Sequence, residues 1–244
     1  MIPVLIVAHG QPSDPAPAEA ELAQFAAKVA ELLPGRAVSS ATLASPQAVE
    51  KAVASLGPVG LVFPMFMAGG WFTRIHLPTR LRAAGGQGWQ VLEPLGCDPA
   101  LHDLAAQIVA EALAGGPKAA VLLAAHGSFK SPVPSDIAQH VAEVIRQRTG
   151  TQVEAAFIDQ NPQLAAATGY GADAICLPFF AAAGGHVTED IPAALAQAGF
   201  QGRLLPALGL DRRVPPLVAH VITAAQPVCA KECRFKRVEA DQTV

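Results

Sequence analysis

A segment near the start of the chain returns almost unchanged halfway along it. Val4-Leu-Ile-Val-Ala-His9-Gly10 matches Val121-Leu-Leu-Ala-Ala-His126-Gly127, with five of seven residues identical. Three further matches follow in the same order. Phe63-Pro64-Met-Phe66 pairs with Leu177-Pro178-Phe-Phe180, Leu77-Pro78 with Ile191-Pro192, and Leu95-Gly96-Cys-Asp98 with Leu208-Gly209-Leu-Asp211. The spacing drifts only from 117 residues at the histidines to 114 at the prolines and 113 at the aspartates. One repetition over 244 residues means a duplicated domain, since a solenoid needs more copies. We divide the chain into an N-terminal half at 1–116, a C-terminal half at 117–226 and a charged tail at 227–244. Each half is large enough to bury a core.

Within each half, strands alternate with helices. The first strand is a continuous apolar run (Val4–Ala8; Ala119–Ala125), the mark of a parallel strand covered on both faces. A polar loop leads to an amphipathic helix. Leu22, Phe25, Val29 and Leu32 recur at helical spacing in the first half, and Ile137, Val141, Val144 and Ile145 in the second. Short strands end at Pro64 and Pro178, and helices follow over 79–84 and 193–198. The expected fold is α/β, with two Rossmann-like parallel-sheet domains related by duplication. Their seam falls at Ala114-Gly-Gly-Pro117.

Composition narrows the function. Hydrophobic residues make up 51% and charged residues 15%, which excludes a disordered chain. A formal charge of −3 gives no general attraction for nucleic acid or anionic membranes. The stretch Val59–Phe72 is too short and too glycine-rich to span a bilayer. Residues 1–9 carry no Lys or Arg and read as a strand rather than a signal peptide, so a cytoplasmic location is expected. Four cysteines do not make a disulfide scaffold.

In open parallel sheets, ligands bind beyond the carboxyl ends of the strands. His9 and His126 stand there, each followed by a glycine that lets the backbone turn. His186 lies just past the strand ending at Pro178, before a helix for which Asp190 is the expected N-cap. His126 and His186 should therefore meet over one sheet edge. Two imidazoles facing a cleft suit a borderline divalent metal such as iron, cobalt or zinc.

Ala125-His126-Gly127-Ser128, followed by Leu177-Pro-Phe-Phe-Ala-Ala-Ala-Gly-Gly-His186-Val-Thr-Glu-Asp190-Ile-Pro192, resembles the sirohydrochlorin chelatases of the CbiX/SirB type, relatives of ferrochelatase. Glu93-Pro-Leu-Gly96 is similar to the late strand-to-helix junction of that family. The resemblance covers nearly the whole chain, once per half. It implies two domains facing a cleft and insertion of Co²⁺ or Fe²⁺, as substrate, into a tetrapyrrole without a nucleotide, in cobalamin or siroheme biosynthesis. It carries the two metal-binding histidines to His126 and His186. It places Asp159 where the family commonly has an acidic residue after the second strand. One of the two histidines, or Asp159, is then the candidate catalytic group that relays protons.

The first half departs from this pattern. Phe72 stands opposite His186 and His76 opposite Asp190, so the complete set belongs to the second half. His9 with His76 is a candidate second metal site. Trp71 and Phe72 are candidates for lining the macrocycle face. Lys130, Arg74, Ser128 and the Gly184-Gly185 amides are candidates for binding its carboxylates. Cys229 and Cys233 with the basic run after them read as a reduced pair in a solvated tail, two thiols being too few for a metal centre.

The competing readings are a non-catalytic metal or tetrapyrrole carrier and a phosphohistidine-type phosphatase. The latter expects Arg before the strand-end His, where Ala8 and Ala125 stand. No nucleophile elbow and no phosphate-binding P-loop occur, and Gly169-Tyr-Gly171 lacks a third glycine for a dinucleotide site.

Overall fold

The computed structural model describes residues 1–114, 119–228 and 233–235. The N-terminal half contains β1 (Val4–Ala8), α1 (Pro15–Glu31), β2 (Val38–Thr42), α2 (Ala48–Leu56), β3 (Val59–Pro64), α3 (Leu77–Ala83), β4 (Gly88–Val91) and α4 (Pro99–Leu113). The C-terminal half contains β5 (Val121–Ala125), α5 (Val133–Thr149), β6 (Val153–Phe157), β7 (Ile175–Pro178), α6 (Ile191–Gln197), β8 (Arg203–Leu204) and α7 (Val214–Ala224). Two four-stranded sheets result, ordered β2-β1-β3-β4 and β6-β5-β7-β8, with every pairing parallel.

The two apolar runs become the central strands because they have no polar face to offer solvent. Val4 through Val7 and Val121 through Ala124 are fully buried. Alternate side chains point to opposite faces. Val4, Ile6, Leu61 and Phe63 point inward with Val121, Leu123, Ile175 and Leu177 of the other sheet, against α1, α4, α5 and α7. Leu5, Val7 and Val62 point outward against α2 and α3, and Leu122, Ala124 and Cys176 against α6. One continuous core thus joins the halves, with α4 packed on α5 and α1 on α7.

Several expectations are corrected in detail. The first-half strand β2 and helix α2 did not stand out in the sequence, because Val38-Ser-Ser-Ala-Thr is an edge strand with only Ala41 and Thr42 buried. The second half has no helix between β6 and β7, only a short turn at Leu164–Ala166. Leu32 lies past the end of α1 and is exposed. The seam residues 115–118 lie outside the described residues.

The described residues of the expected tail pack back onto the N-terminal half. After α7, Pro227 bridges to Leu92 and the Val228 amide donates to the Val91 carbonyl, returning the chain to the edge of the first sheet. Cys233 is buried beside Cys97, and this contact holds the Cys233 thiol below its usual range. Arg234 pairs with Glu93 at 2.7 Å and donates to the Cys97 carbonyl. Cys229, Lys231, Lys236 and Arg237 lie outside the described residues.

Candidate metal centre

β5 and β7 are neighbours in their sheet, so the loops leaving their carboxyl ends start side by side. His126 is the first residue beyond β5. Gly127 follows at φ +73°, and a Cβ there would sit 2.8 Å from the Gln160 side chain, so a glycine is required at the turn. Beyond β7, a loop of small residues runs to one wide π-type turn over His186–Asp190, which continues into α6. Such turns bring residues i and i+4 onto one face.

The two loops bring His126 and His186 together. Their Nε2 atoms lie 3.2 Å apart, with the rings edge to face at 4.6 Å between centroids. Each Nδ1 faces an oxygen acceptor. His186 Nδ1 lies 2.6 Å from Asp190 Oδ2, and His126 Nδ1 lies 3.0 Å from the Gly127 carbonyl. An acceptor at Nδ1 assigns the proton to that nitrogen and leaves the lone pair on Nε2. With both Nδ1 atoms carrying the proton, the two Nε2 lone pairs face one another and can be shared by one cation. With metal–nitrogen bonds of about 2.0–2.1 Å, two imidazoles on neighbouring coordination positions, at angles of about 90–109°, place their nitrogens about 2.8–3.4 Å apart. The observed separation falls inside that span.

Both side chains remain about half exposed, so an ion can reach them from solvent. Asp159 stands behind His126, with Oδ2 3.7 Å from Nδ1, too far for a hydrogen bond. Its backbone amide donates to the His126 carbonyl at 2.9 Å and fixes its place. Asp190, the expected helix cap, makes no side-chain capping hydrogen bond. Its backbone is already helical, because the helical path begins earlier, at His186, and its carboxylate is spent on the imidazole. Asp190 is the candidate site residue that sequence reasoning did not assign. The signal was its position four residues after His186, the spacing of a same-face pair.

The other candidates are dispersed. Lys130 is exposed on the β5 loop, with its amide held by the Ser128 hydroxyl. The Ser128 amide is already committed to Gln160 Oε1. Arg74 is half-buried, against Gly69 and near Cys233. The Gly184 carbonyl accepts from the amides of Val187 and Thr188.

The first half repeats the site in form with different chemistry. Phe72 meets His9 edge to face at 4.9 Å and 90°, where His186 meets His126 at 4.6 Å and 87°. A matching π-type turn, Phe72–His76, puts His76 in the place of Asp190. The Ala44 amide donates to the His9 carbonyl just as Asp159 does to His126, so alanine replaces the carboxylate. Phe72 packs edge-on against both His9 and His76, at 4.9 and 5.7 Å between centroids. An apolar ring therefore occupies the position a shared ligand would need.

The family model for CbiX matches residues 3–112 and, a second time, residues 120–225. The chain belongs to the CbiX family. One match to each sheet mirrors the duplication read above. A solved structure of CbiX, the terminal enzyme for biosynthesis of siroheme in denitrifying bacteria, is 45% identical to this chain. It covers 91% of this chain and 99% of its own, with a TM-score of 0.85. SirB from Bacillus subtilis with Fe³⁺ shares the fold at 17% identity and TM-score 0.70, over 92% of this chain and 96% of that one. The sirohydrochlorin chelatase SirB from Bacillus subtilis subspecies spizizenii, in complex with cobalt, does so at 16% and 0.67, over 92% and 95%. No match was found among curated protein sequences. The CbiX fold thus extends over both sheets of the chain and accounts for its two-domain α/β architecture.

Proposed function

We propose that this chain is a sirohydrochlorin chelatase whose second-half histidines carry the metal. The supporting observation is the pair of Nε2 atoms 3.2 Å apart with both Nδ1 atoms facing acceptors. His126 and His186 take up a divalent ion and replace part of its water shell. Imidazole suits iron and cobalt alike. Fe²⁺ is the proposed substrate, because the 45% identical relative completes siroheme. Co²⁺ is a chemically equivalent alternative.

Insertion exchanges one M²⁺ for the two pyrrole N–H protons of the macrocycle, and those protons need acceptors. Asp159 is suited to this role, being half exposed and not hydrogen-bonded to the ring beside it. Asp190 is committed to orienting His186 and is not the proton acceptor. No step calls for a nucleotide.

The test is spectrophotometric. Mixing the purified protein with sirohydrochlorin and Fe²⁺ or Co²⁺ should convert the free-base spectrum to that of the metallated ring with turnover. His126→Ala and His186→Ala should each lose at least a hundredfold in rate, and His9→Ala should retain most activity. Binding of both substrates without turnover would favour the carrier reading. A dead His9→Ala with an active His186→Ala would move the site to the first half.

A further inference from the structure

Duplication left the first half with the scaffold of a metal site and none of its second-ligand or carboxylate chemistry. What replaced that chemistry is aromatic. Phe66 and Phe72 stack at 6.0 Å, Trp71 meets Phe72 at 5.1 Å, and Trp71 lies nearly parallel to the His76 ring at 4.8 Å. Despite these contacts Trp71 is 57% exposed. The corresponding segment of the second half keeps Phe180, the counterpart of Phe66, beside His186, but continues as Ala181-Ala-Ala-Gly-Gly185 with nothing in the place of the indole.

The position of Trp71 follows from the internal symmetry. It precedes Phe72 as Gly185 precedes His186, so Trp71 and Gly185 are counterparts. A Cβ on Gly185 would lie 3.8 Å from the Gln11 amide, so the loop after β7 faces the loop after β1 of the other half. The duplication extends this relation to Trp71, whose counterpart partner loop is the one after β5 that carries His126 and the 80% exposed Phe129. On that internal symmetry, the indole belongs to the face of the first half that answers the imidazole pair of the second.

Resting on the function proposed above, we infer that the degenerate first-half site is the stacking wall of the cleft, with Trp71 binding one face of the free-base macrocycle while the second half delivers the ion to the other. Division of labour explains why one copy kept its ligands and the other exchanged them for flat apolar rings. A conjugated macrocycle with charged edges needs an apolar surface against its face, and an exposed indole already held in place by His76 and Phe72 provides one at little ordering cost.

The experiment measures binding apart from turnover. Metal-free sirohydrochlorin is titrated into the full chain without metal, following its own absorbance, for wild type, Trp71→Ala and Trp71→Phe. Trp71→Ala should raise Kd and KM roughly tenfold, the size of a lost aromatic stacking contact, while kcat changes less than twofold. Trp71→Phe should recover most of that loss. Co²⁺ affinity and Tm should stay at wild-type values in both variants, which separates a binding role from a structural one. An unchanged Kd in Trp71→Ala overturns the inference, and so does a matching loss of Co²⁺ affinity or Tm. Because the titration needs no turnover, a wild-type protein that binds the ring without metallating it would sink the chelatase reading and leave the wall standing. An active enzyme indifferent to Trp71 would do the reverse.

Discussion

Asp190 makes one contact that decides the chemistry of another residue. By accepting from His186 Nδ1 at 2.6 Å it keeps the Nε2 lone pair available and aims the ring. Losing a carboxylate behind a ligating imidazole typically costs 10–100-fold in metal affinity or activity. Asp190→Asn should therefore weaken Co²⁺ binding and lower kcat within about that range while leaving macrocycle Kd unchanged. Isothermal titration with Co²⁺ checks the first part and the absorbance assay the second. His102 offers a residue-scale effect of a different kind. Its Nε2–H donates to the Gly96 carbonyl at 2.8 Å, in a buried pocket with His140 and Phe235. Burial pulls its pKa from 6.5 to about 4, with the Gly96 hydrogen bond and then Asp98 opposing and His140 and Arg234 assisting. The unfolded chain takes up this proton near 6.5, whereas the folded chain refuses it down to about 4. Stability from this group is therefore full above 6.5 and drains away as pH falls toward 4, by about 3 kcal/mol in all. In His102→Gln, where the amide can keep the Gly96 bond without titrating, Tm should fall less steeply between pH 7 and pH 4.5.

At the scale of elements, the loops do the positioning and close backbone approach fixes the loops. A Cβ on Gly209 would come within 2.2 Å of the Ala181 carbonyl oxygen, at the start of the segment that carries His186. Gly209→Ala must push that backbone aside. It should cost about 1–3 kcal/mol of stability and also weaken Co²⁺ binding, although residue 209 touches neither histidine. Denaturant midpoints and metal titration on the same samples test the link. Phe72→His makes the opposite move by restoring an imidazole beside His9 in the edge-to-face arrangement seen in the second half. It should raise Co²⁺ stoichiometry from one to two in equilibrium dialysis, the second ion being the weaker because Ala44 and His76 stand where the other site has carboxylates. Much of this element-level structure was legible in advance. Apolar runs ending in His-Gly announced central strands with histidines at their carboxyl ends, and parallel-sheet geometry brought His126 and His186 together. What stayed hidden was the wide turn at His186–Asp190. An Asp followed by Ile-Pro carries the signature of a helix start, and local propensity cannot show that the backbone is helical four residues sooner. The distance of Asp159 from His126 was equally invisible, because it depends on how far the chain runs past β6 before turning.

At the scale of the whole molecule, the halves are not beads on a string. Leu101 and Leu104 of α4 share one core with Ile137 and Ile145 of α5, and inward residues of both sheets close around them. Arg213 ties the start of α7 to Glu111 at the end of α4 across the same junction. Leu101→Ala, at a fully buried position, should cost about 2–5 kcal/mol and lower a single cooperative unfolding transition. A calorimetric trace with two transitions, only one of them shifted, would show instead that the halves unfold independently.

The unequal lobes also bear on how such a binder can change. If each lobe were a separate polypeptide pairing with its own copy, any mutation would appear on both sides of the junction at once, as in every isologous dimer. A tryptophan gained would be gained twice, and an imidazole lost would be lost twice. Joined in one covalent chain, this protein has Phe72 opposing His186 and Ala44 opposing Asp159 without any compromise between them. Fusion thus released the two sides from a shared genetic fate, and the cleft could become a tool with two different jaws.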